Sequence, residues 1–268
     1  MKSRIFTFGC SFTEYVWPTW ADIILYKNIG YNLGVIGGGF DMILYRLLEA
    51  DRKFKFTKND NIIIIFTTPL RWDILRGDTE LNWECKGQVT TSEYKEYENK
   101  FYTLDGLLYK SFYNIFLIVD FLNKRNLNFL IGSINNVFEN YDNHFEYSKL
   151  NTEILDLIDY VKNITELKLL DFHSFLYNSQ SKFNKSWKVT KKWADGMLDY
   201  HPRPEEHLEW VNKVLLKHLN IDVKINEEDI ASIENDIDGL KLHKDSFENL
   251  SKKYPLYYEH RKGSIAYL

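Results

Sequence analysis

The chain has 268 residues, 44% of them hydrophobic, with 34 Lys and Arg against 38 Asp and Glu for a formal net charge of -4. That size and apolar fraction suffice for one large domain with a substantial core, and the acidic balance disfavours a protein that grips nucleic acid by neutralising phosphates. Two cysteines are too few for a disulfide framework, and no apolar stretch has the length of a signal-peptide core or a membrane span, so a soluble cytoplasmic protein with no membrane partner is expected.

In chain order, RIFTF (4 to 8) is a compact apolar run ending at Gly9 and reads as a buried first strand. Residues 18 to 27 carry apolar side chains at helical spacing, with Pro18 near the start where its missing N–H is harmless. A second short segment over residues 31–40 ends in Gly37, Gly38 and Gly39 and opens onto a helix with a stripe of Ile43, Leu44, Leu47 and Leu48. NIIIIFTT (61 to 68) is the clearest strand, apolar on both faces as in the middle of a parallel sheet covered on each side. A helix is predicted over 94–126, a fourth strand over 128–134, a helix over 147–162 and a fifth strand over 167–172. The helix over 205–219, with Leu208, Val211, Leu215 and Leu219 on one face, closes a domain spanning residues 1–220. Residues 221–268 are highly charged, with Ile230, Ile233, Ile237 and Leu240 at helical spacing, and are expected to form a helical C-terminal extension. It would pack on the domain or join a homo-oligomer, with no chemistry of its own. Strands alternating with helices at βαβ spacing predict an α/β fold, a doubly wound sandwich.

Chemistry concentrates at the two ends of that domain. Cys10 and Ser11 follow Gly9 at the end of the first strand, and either is a candidate nucleophile, although a Ser in such a turn is often only a helix cap. Near the other end, Asp199 and His201 precede Pro202 and the last helix, which sets an imidazole on a rigid loop beside a carboxylate able to orient it. The three glycines after the second strand offer bare backbone N–H groups for a developing oxyanion, or serve only a sharp turn. No Walker loop, dinucleotide fingerprint, HExxH or EF-hand pattern occurs, so a cofactor-free and metal-free enzyme is expected.

Gly9-Cys10-Ser11-Phe12-Thr13, Asn32-Leu33-Gly34-Val35-Ile36-Gly37 and Asp199-Tyr200-His201-Pro202 together resemble the first, second and last blocks of the SGNH (GDSL-like) hydrolase superfamily. The resemblance covers roughly residues 4 to 219 and implies a flavodoxin-like three-layer α/β/α sandwich with a central parallel sheet. It implies a Ser11–His201–Asp199 triad acting on O-acyl groups, with the N–H groups of Ser11 and Gly37 forming the oxyanion hole. Asn32, which opens the second block, and Gly38, just after it, are expected to touch substrate.

Two departures accompany it. Where the family carries an asparagine after the third strand, this chain has Thr67-Thr68-Pro69-Leu70-Arg71, so the Thr67 or Thr68 hydroxyl is expected to replace it, ahead of Asn135 or Asn136. The acid stands two residues before His201 rather than three, with Asp195 in reserve. Arg71 is expected to stabilise charge or grip an anionic group. The insert from about 70 to 95 is expected to wall the site, with Trp72 and Trp83 as sugar-stacking platforms; Trp17, Trp187 and Trp193 also fall at predicted loops or element ends. The expected activity is that of a serine esterase acting on small-molecule or glycan esters. The alternatives are an acyltransferase with the same triad and a glycan-binding module whose oxyanion hole has decayed.

Overall fold

The computed structural model describes residues 3–76, 82–88, 103–134, 137–138, 151–165, 170–171, 175 and 190–261. Its strands are β1 (Ile5–Gly9), β2 (Gly30–Asn32), β3 (Asn61–Phe66), a hairpin of β4 (Arg71–Arg76) and β5 (Asn82–Gln88), then β6 (Asn128–Ser133), β7 (Leu170–Asp171) and a hairpin of β8 (Lys191–Lys192) and β9 (Leu198–Asp199). The helices are α1 (Trp20–Leu25), α2 (Phe40–Phe54), α3 (Leu104–Lys124), α4 (Thr152–Thr165), α5 (Pro204–Lys213), α6 (Glu227–Gly239), α7 (His243–Lys253) and α8 (Pro255–Tyr258), with 3₁₀ turns at Leu215–Lys217 and Glu259–Arg261.

The apolar runs pair as one sheet in the order β2-β1-β3-β6-β7, parallel throughout. The period-two alternation of a strand divides the core between two faces. Ile62, Ile64 and Phe66 of β3 join Phe6 and Phe8 under α2, α3 and α4, while Ile63 and Ile65 join Ile5 on the side of α1 and α5. Helices therefore cover both faces, the three-layer α/β/α arrangement expected from the resemblance. Strand order reverses between β1 and β3, and in open α/β sheets the crevice at such a switch point, beyond the carboxyl ends of the strands, is where ligands bind.

Several boundaries differ from expectation. β2 is only three residues long, although the Leu33 and Val35 N–H groups still donate to the Thr7 and Gly9 carbonyls of β1 at 2.8 and 2.9 Å before the glycine turn. α1 begins at Trp20, so a loop over residues 10–19 separates Ser11 from the helix and no helix N-terminus follows it directly. The last helix of the domain ends at Lys213 and tightens into the 3₁₀ turn. The predicted helix over 94–126 is described from Leu104 to Lys124 and that over 147–162 from Thr152 to Thr165.

Beyond residue 221, Ile230, Ile233 and Ile237 of α6, Leu250 of α7 and Tyr257 and Tyr258 of α8 are buried in the same apolar cluster as α1 and α5. Arg203, just before α5, clamps α6 through Glu234 at 2.6 Å and Asp238 at 2.9 Å. Among the described residues, no helix is long and apolar enough to cross a membrane.

Candidate active site

Gly9 ends β1 where a side chain would overlap Thr13 Oγ1 and come within 2.8 Å of the Ile65 carbonyl, so only glycine fits. The chain then turns tightly, the N–H groups of Thr13 and Glu14 both donating to the Cys10 carbonyl at 2.8 and 3.0 Å. Cys10 is fully buried in the apolar cluster, whereas the Ser11 hydroxyl lies 2.8 Å from His201 Nε2. The imidazole thus meets the Ser11 hydroxyl, while the Cys10 thiol lies in the apolar core.

Asp199 sits in β9, held by the Thr190 N–H donating to its carbonyl at 2.7 Å, and His201 follows two residues later. Trp17 Nε1 donates to the Pro202 carbonyl at 2.8 Å and fixes the loop from its far side. The Asp199 Oδ1 atom accepts from the His201 backbone N–H at 3.0 Å and from its Nδ1 at 2.9 Å. A proton on Nδ1 leaves Nε2 free to accept from Ser11 Oγ.

The second carboxylate oxygen, Oδ2, accepts from the Tyr15 hydroxyl at 2.6 Å and from Trp193 Nε1 at 3.1 Å. Burial works to raise the Asp199 pKa, but the hydrogen bonds from His201 and Tyr15 and the charge of the neighbouring imidazole prevail and hold it at about 2. Tyr15 also stacks on the His201 ring, with centroids 3.8 Å apart and planes 22° from parallel. Its hydroxyl lies 3.0 Å from Nε2 of His243 in α7. Tyr15 and His243 escape sequence reasoning, since no spacing links residues so far apart, and Trp193, six positions before Asp199, stands out in sequence only as a tryptophan at a loop or element end. Asp195 stays exposed in the β8–β9 turn, where it accepts from the Met197 N–H, and is not the partner of His201.

At the sheet edge, the register Gly9↔Ile65 carries Ser11 and Thr67 off adjacent strands. Thr67 is buried with its hydroxyl unpartnered among the described residues, while the Thr68 hydroxyl accepts from the Leu70 N–H at 3.4 Å. Gly37 turns with φ of 79°, in the left-handed region that suits glycine. The expectation of three bare glycine N–H groups is corrected: Gly38 donates to the Val35 carbonyl at 3.0 Å, and Gly39 donates to the Asp73 carboxylate at 2.9 Å. Asp73 takes the Met42 N–H as well, capping α2 and pinning the β4–β5 hairpin beside the turn. Among the described residues, no group of three or more His, Cys, Asp or Glu side chains is placed to hold a metal ion.

Of the expected substrate contacts, Asn32, Gly38 and Trp72 are buried and Arg71 is half-buried. Asn32 is fully buried and acts as an internal bracket, donating to the Thr13 carbonyl at 2.8 Å and to Asp22 at 3.1 Å while its Oδ1 accepts from the Gly34 N–H at 3.1 Å. Gly38 is buried and its N–H is committed to Val35. Trp72 is only 3% exposed, packed in the core cluster that holds Leu70 and Phe66 at the point where the β4–β5 register shifts. Trp17 and Trp193 are buried too, so loop position does not make them platforms. Arg71 is half-buried, its Nη1 reaching the Gly38 carbonyl at 3.4 Å and its Nε without a partner among the described residues. Trp187, Asn135, Asn136 and the side chains of Trp83 and Arg76 lie outside the described residues.

No protein-family model matches the sequence, and no curated protein does. Among solved structures, the chain is similar to a member of the lipolytic G-D-S-L family from Veillonella parvula DSM 2008, at 13% identity and TM-score 0.42 over 80% of this chain and 97% of that one. It is similar to a GDSL-like lipase from Bacteroides thetaiotaomicron VPI-5482, at 16% identity and TM-score 0.41 over 81% and 89%. An acetylxylan esterase from Geobacillus stearothermophilus matches at 11% identity and TM-score 0.44 over 84% and 99%. At these identities and TM-scores the likeness bears neither on the family of the chain nor on its reaction.

Proposed function

We propose that this chain is a serine esterase of the SGNH type that removes O-acyl groups, acetyl foremost, from carbohydrate or another small ester. The observation that carries the reading is the unbroken chain from Ser11 Oγ to His201 Nε2 at 2.8 Å and from His201 Nδ1 to Asp199 Oδ1 at 2.9 Å. A hydroxyl this close to an imidazole oriented by an ionised carboxylate is an activated nucleophile. The same closeness argues for an enzyme over a decayed binding module.

Ser11 Oγ attacks the ester carbonyl carbon as its proton passes to His201 Nε2. The negative charge that develops on the carbonyl oxygen falls to the backbone N–H groups of Ser11 and Gly37, with the Thr67 hydroxyl in the place of the family's asparagine. Collapse of the tetrahedral adduct breaks the bond to the alcohol, which leaves with the proton from Nε2. Water, deprotonated by His201, then releases the acid and restores Ser11. Asp199 keeps its charge throughout and stabilises the imidazolium.

The test is turnover of p-nitrophenyl acetate by wild type and Ser11→Ala, with fluorophosphonate labelling of Ser11 as a second readout. A drop of at least about a thousandfold is expected on losing the nucleophile. Equal rates, with no label on Ser11, would overturn the reading.

A further inference from the structure

The Tyr15 hydroxyl carries a single proton, and its 2.6 Å contact with Asp199 Oδ2 uses it, since an ionised carboxylate only accepts. The 3.0 Å contact between Tyr15 and His243 must then run the other way, with His243 Nε2–H donating to the phenol oxygen. The hydrogen bonds line up in one direction: His243 to Tyr15, and Tyr15 to Asp199. His201 donates to the same carboxylate and accepts from Ser11.

We propose that Tyr15 and His243 are positioning residues that extend this chain by two members, so that the C-terminal helix α7 takes part in setting the reactivity of Ser11. The inference rests on the esterase reading of Ser11, His201 and Asp199. Tyr15 acts at two points. Its hydroxyl, with Trp193 Nε1, fixes the carboxylate so that Oδ1 faces His201 Nδ1, and its ring lies on the imidazole at 3.8 Å and holds the plane that aims Nε2 at Ser11. His243 in turn holds the phenol, while the Trp193 ring meets its edge at 5.3 Å. The titratable and charged groups facing His243 are Tyr15 from the loop after β1 and Asp195, Asp199 and His201 from the segment around β9.

A donor to Oδ2 draws charge away from Oδ1. Removing it leaves a carboxylate that stabilises the imidazolium more strongly yet is less well oriented. In Tyr15→Phe, which keeps the stacked ring, kcat on an acetyl ester is expected to fall roughly tenfold with KM nearly unchanged, and the acid limb of the kcat/KM profile to move to higher pH. His243→Leu is expected to shift the limb in the same direction, and the double variant to match Tyr15→Phe, since the two act in series. His243→Gln, whose amide N–H can still donate to Tyr15, should recover most of what Leu loses. A purely structural role would lower the melting temperature and leave the limb in place, and that outcome overturns the proposal.

A measurement on the unaltered protein decides the matter if a variant fails to fold. In ¹⁵N NMR of the wild type, a neutral His243 is expected as the Nε2–H tautomer. The Nδ1–H tautomer would force the Tyr15 proton away from Asp199 and would sink the chain. Ser11→Ala as active as wild type sinks the esterase reading instead, and the tautomer then still decides whether the hydrogen bonds run as stated.

Discussion

Arg261 and Asp22 stand 239 positions apart and meet in a buried two-point ion pair, with Nε donating to Oδ1 at 2.8 Å and Nη2 engaging Oδ2. Arg261 Nη1 also donates to the Tyr15 carbonyl at 2.7 Å, so the end of the described chain braces the loop that carries Ser11. His260 adds a third contact, at 2.7 Å to the same Oδ1. Burial acts to raise the Asp22 pKa, and Arg261 and His260 overcome it and hold the carboxyl well below its usual range.

Arg261→Met leaves that carboxylate in the core without its guanidinium partner, held only by His260, Asn32 and Thr19 among the described residues. Breaking a buried pair from one side typically costs about 3–5 kcal/mol, far more than replacing both partners. Urea unfolding should show a loss in this range for Arg261→Met and a partial recovery for Asp22→Asn combined with Arg261→Met. A loss under about 1 kcal/mol would mean that the pair is solvated and the brace weak.

A second prediction concerns acid. His207 in α5 is almost wholly buried, and burial pushes its pKa down to about 3. The unfolded imidazole binds its proton near 6.5 and the folded one only near 3, so the unfolded state holds more protons between those values. This contribution to stability is present above 6.5 and is lost as pH falls through that window. Glu14, Asp73 and Glu234, whose pKa values burial raises, act in the opposite direction. The readout is therefore the difference between wild type and His207→Gln: the urea midpoint of the wild type should fall more steeply between about pH 6.5 and pH 5. Parallel curves would show that His207 takes up its proton alike in the folded and unfolded states.

The parts of this fold that were legible are those where one chemical property runs along the chain. The β3 run from Ile62 to Phe66 is apolar on both faces, which only a covered parallel strand tolerates, and Ser11 and His201 stand beside turn and Pro signals that fix their loops. Direction of side chains was not legible. Asn32 and Trp72 sit in plausible places for touching a substrate, and both turn inward, one to satisfy buried carbonyl and amide groups and the other to pack in the apolar core where the β4–β5 register shifts. Tyr15 and Trp193 meet on the Asp199 carboxylate and His243 reaches it only through Tyr15, an arrangement that exists only after folding. The residues beyond 221 show a helical stripe in sequence, but nothing there tells that α7 would meet Tyr15.

Thr67 separates activity from stability. Its hydroxyl is buried without a partner among the described residues, so Thr67→Val should leave the melting temperature unchanged or slightly higher. If the hydroxyl donates to the developing oxyanion, kcat should fall by about 10- to 100-fold with KM within about twofold, and Thr67→Ser should keep most of the rate. Steady-state kinetics on an acetyl ester checks this. A fully active Thr67→Val protein would leave the two backbone N–H groups as the only proposed donors.

Asp199→Asn tests how far the orientation of His201 depends on charge. The carboxylate accepts four hydrogen bonds, two on each oxygen, and all four arrive from fixed donors. An amide offers one oxygen and one N–H₂. With its oxygen toward His201 it turns two donors against Tyr15 and Trp193; with its nitrogen there it drives the imidazole to the other tautomer, whose Nε2 carries a proton and cannot accept from Ser11. Either way the imidazolium loses its counter-charge, so kcat should fall by about 10³–10⁴ while substrate affinity changes little. Unfolding should also show a loss of about 1–3 kcal/mol, because at least one buried donor is left facing another. An Asp199→Asn variant within about tenfold of the wild-type rate would mean that Asp199 is a structural carboxylate and that His201 is oriented by Tyr15 stacking alone.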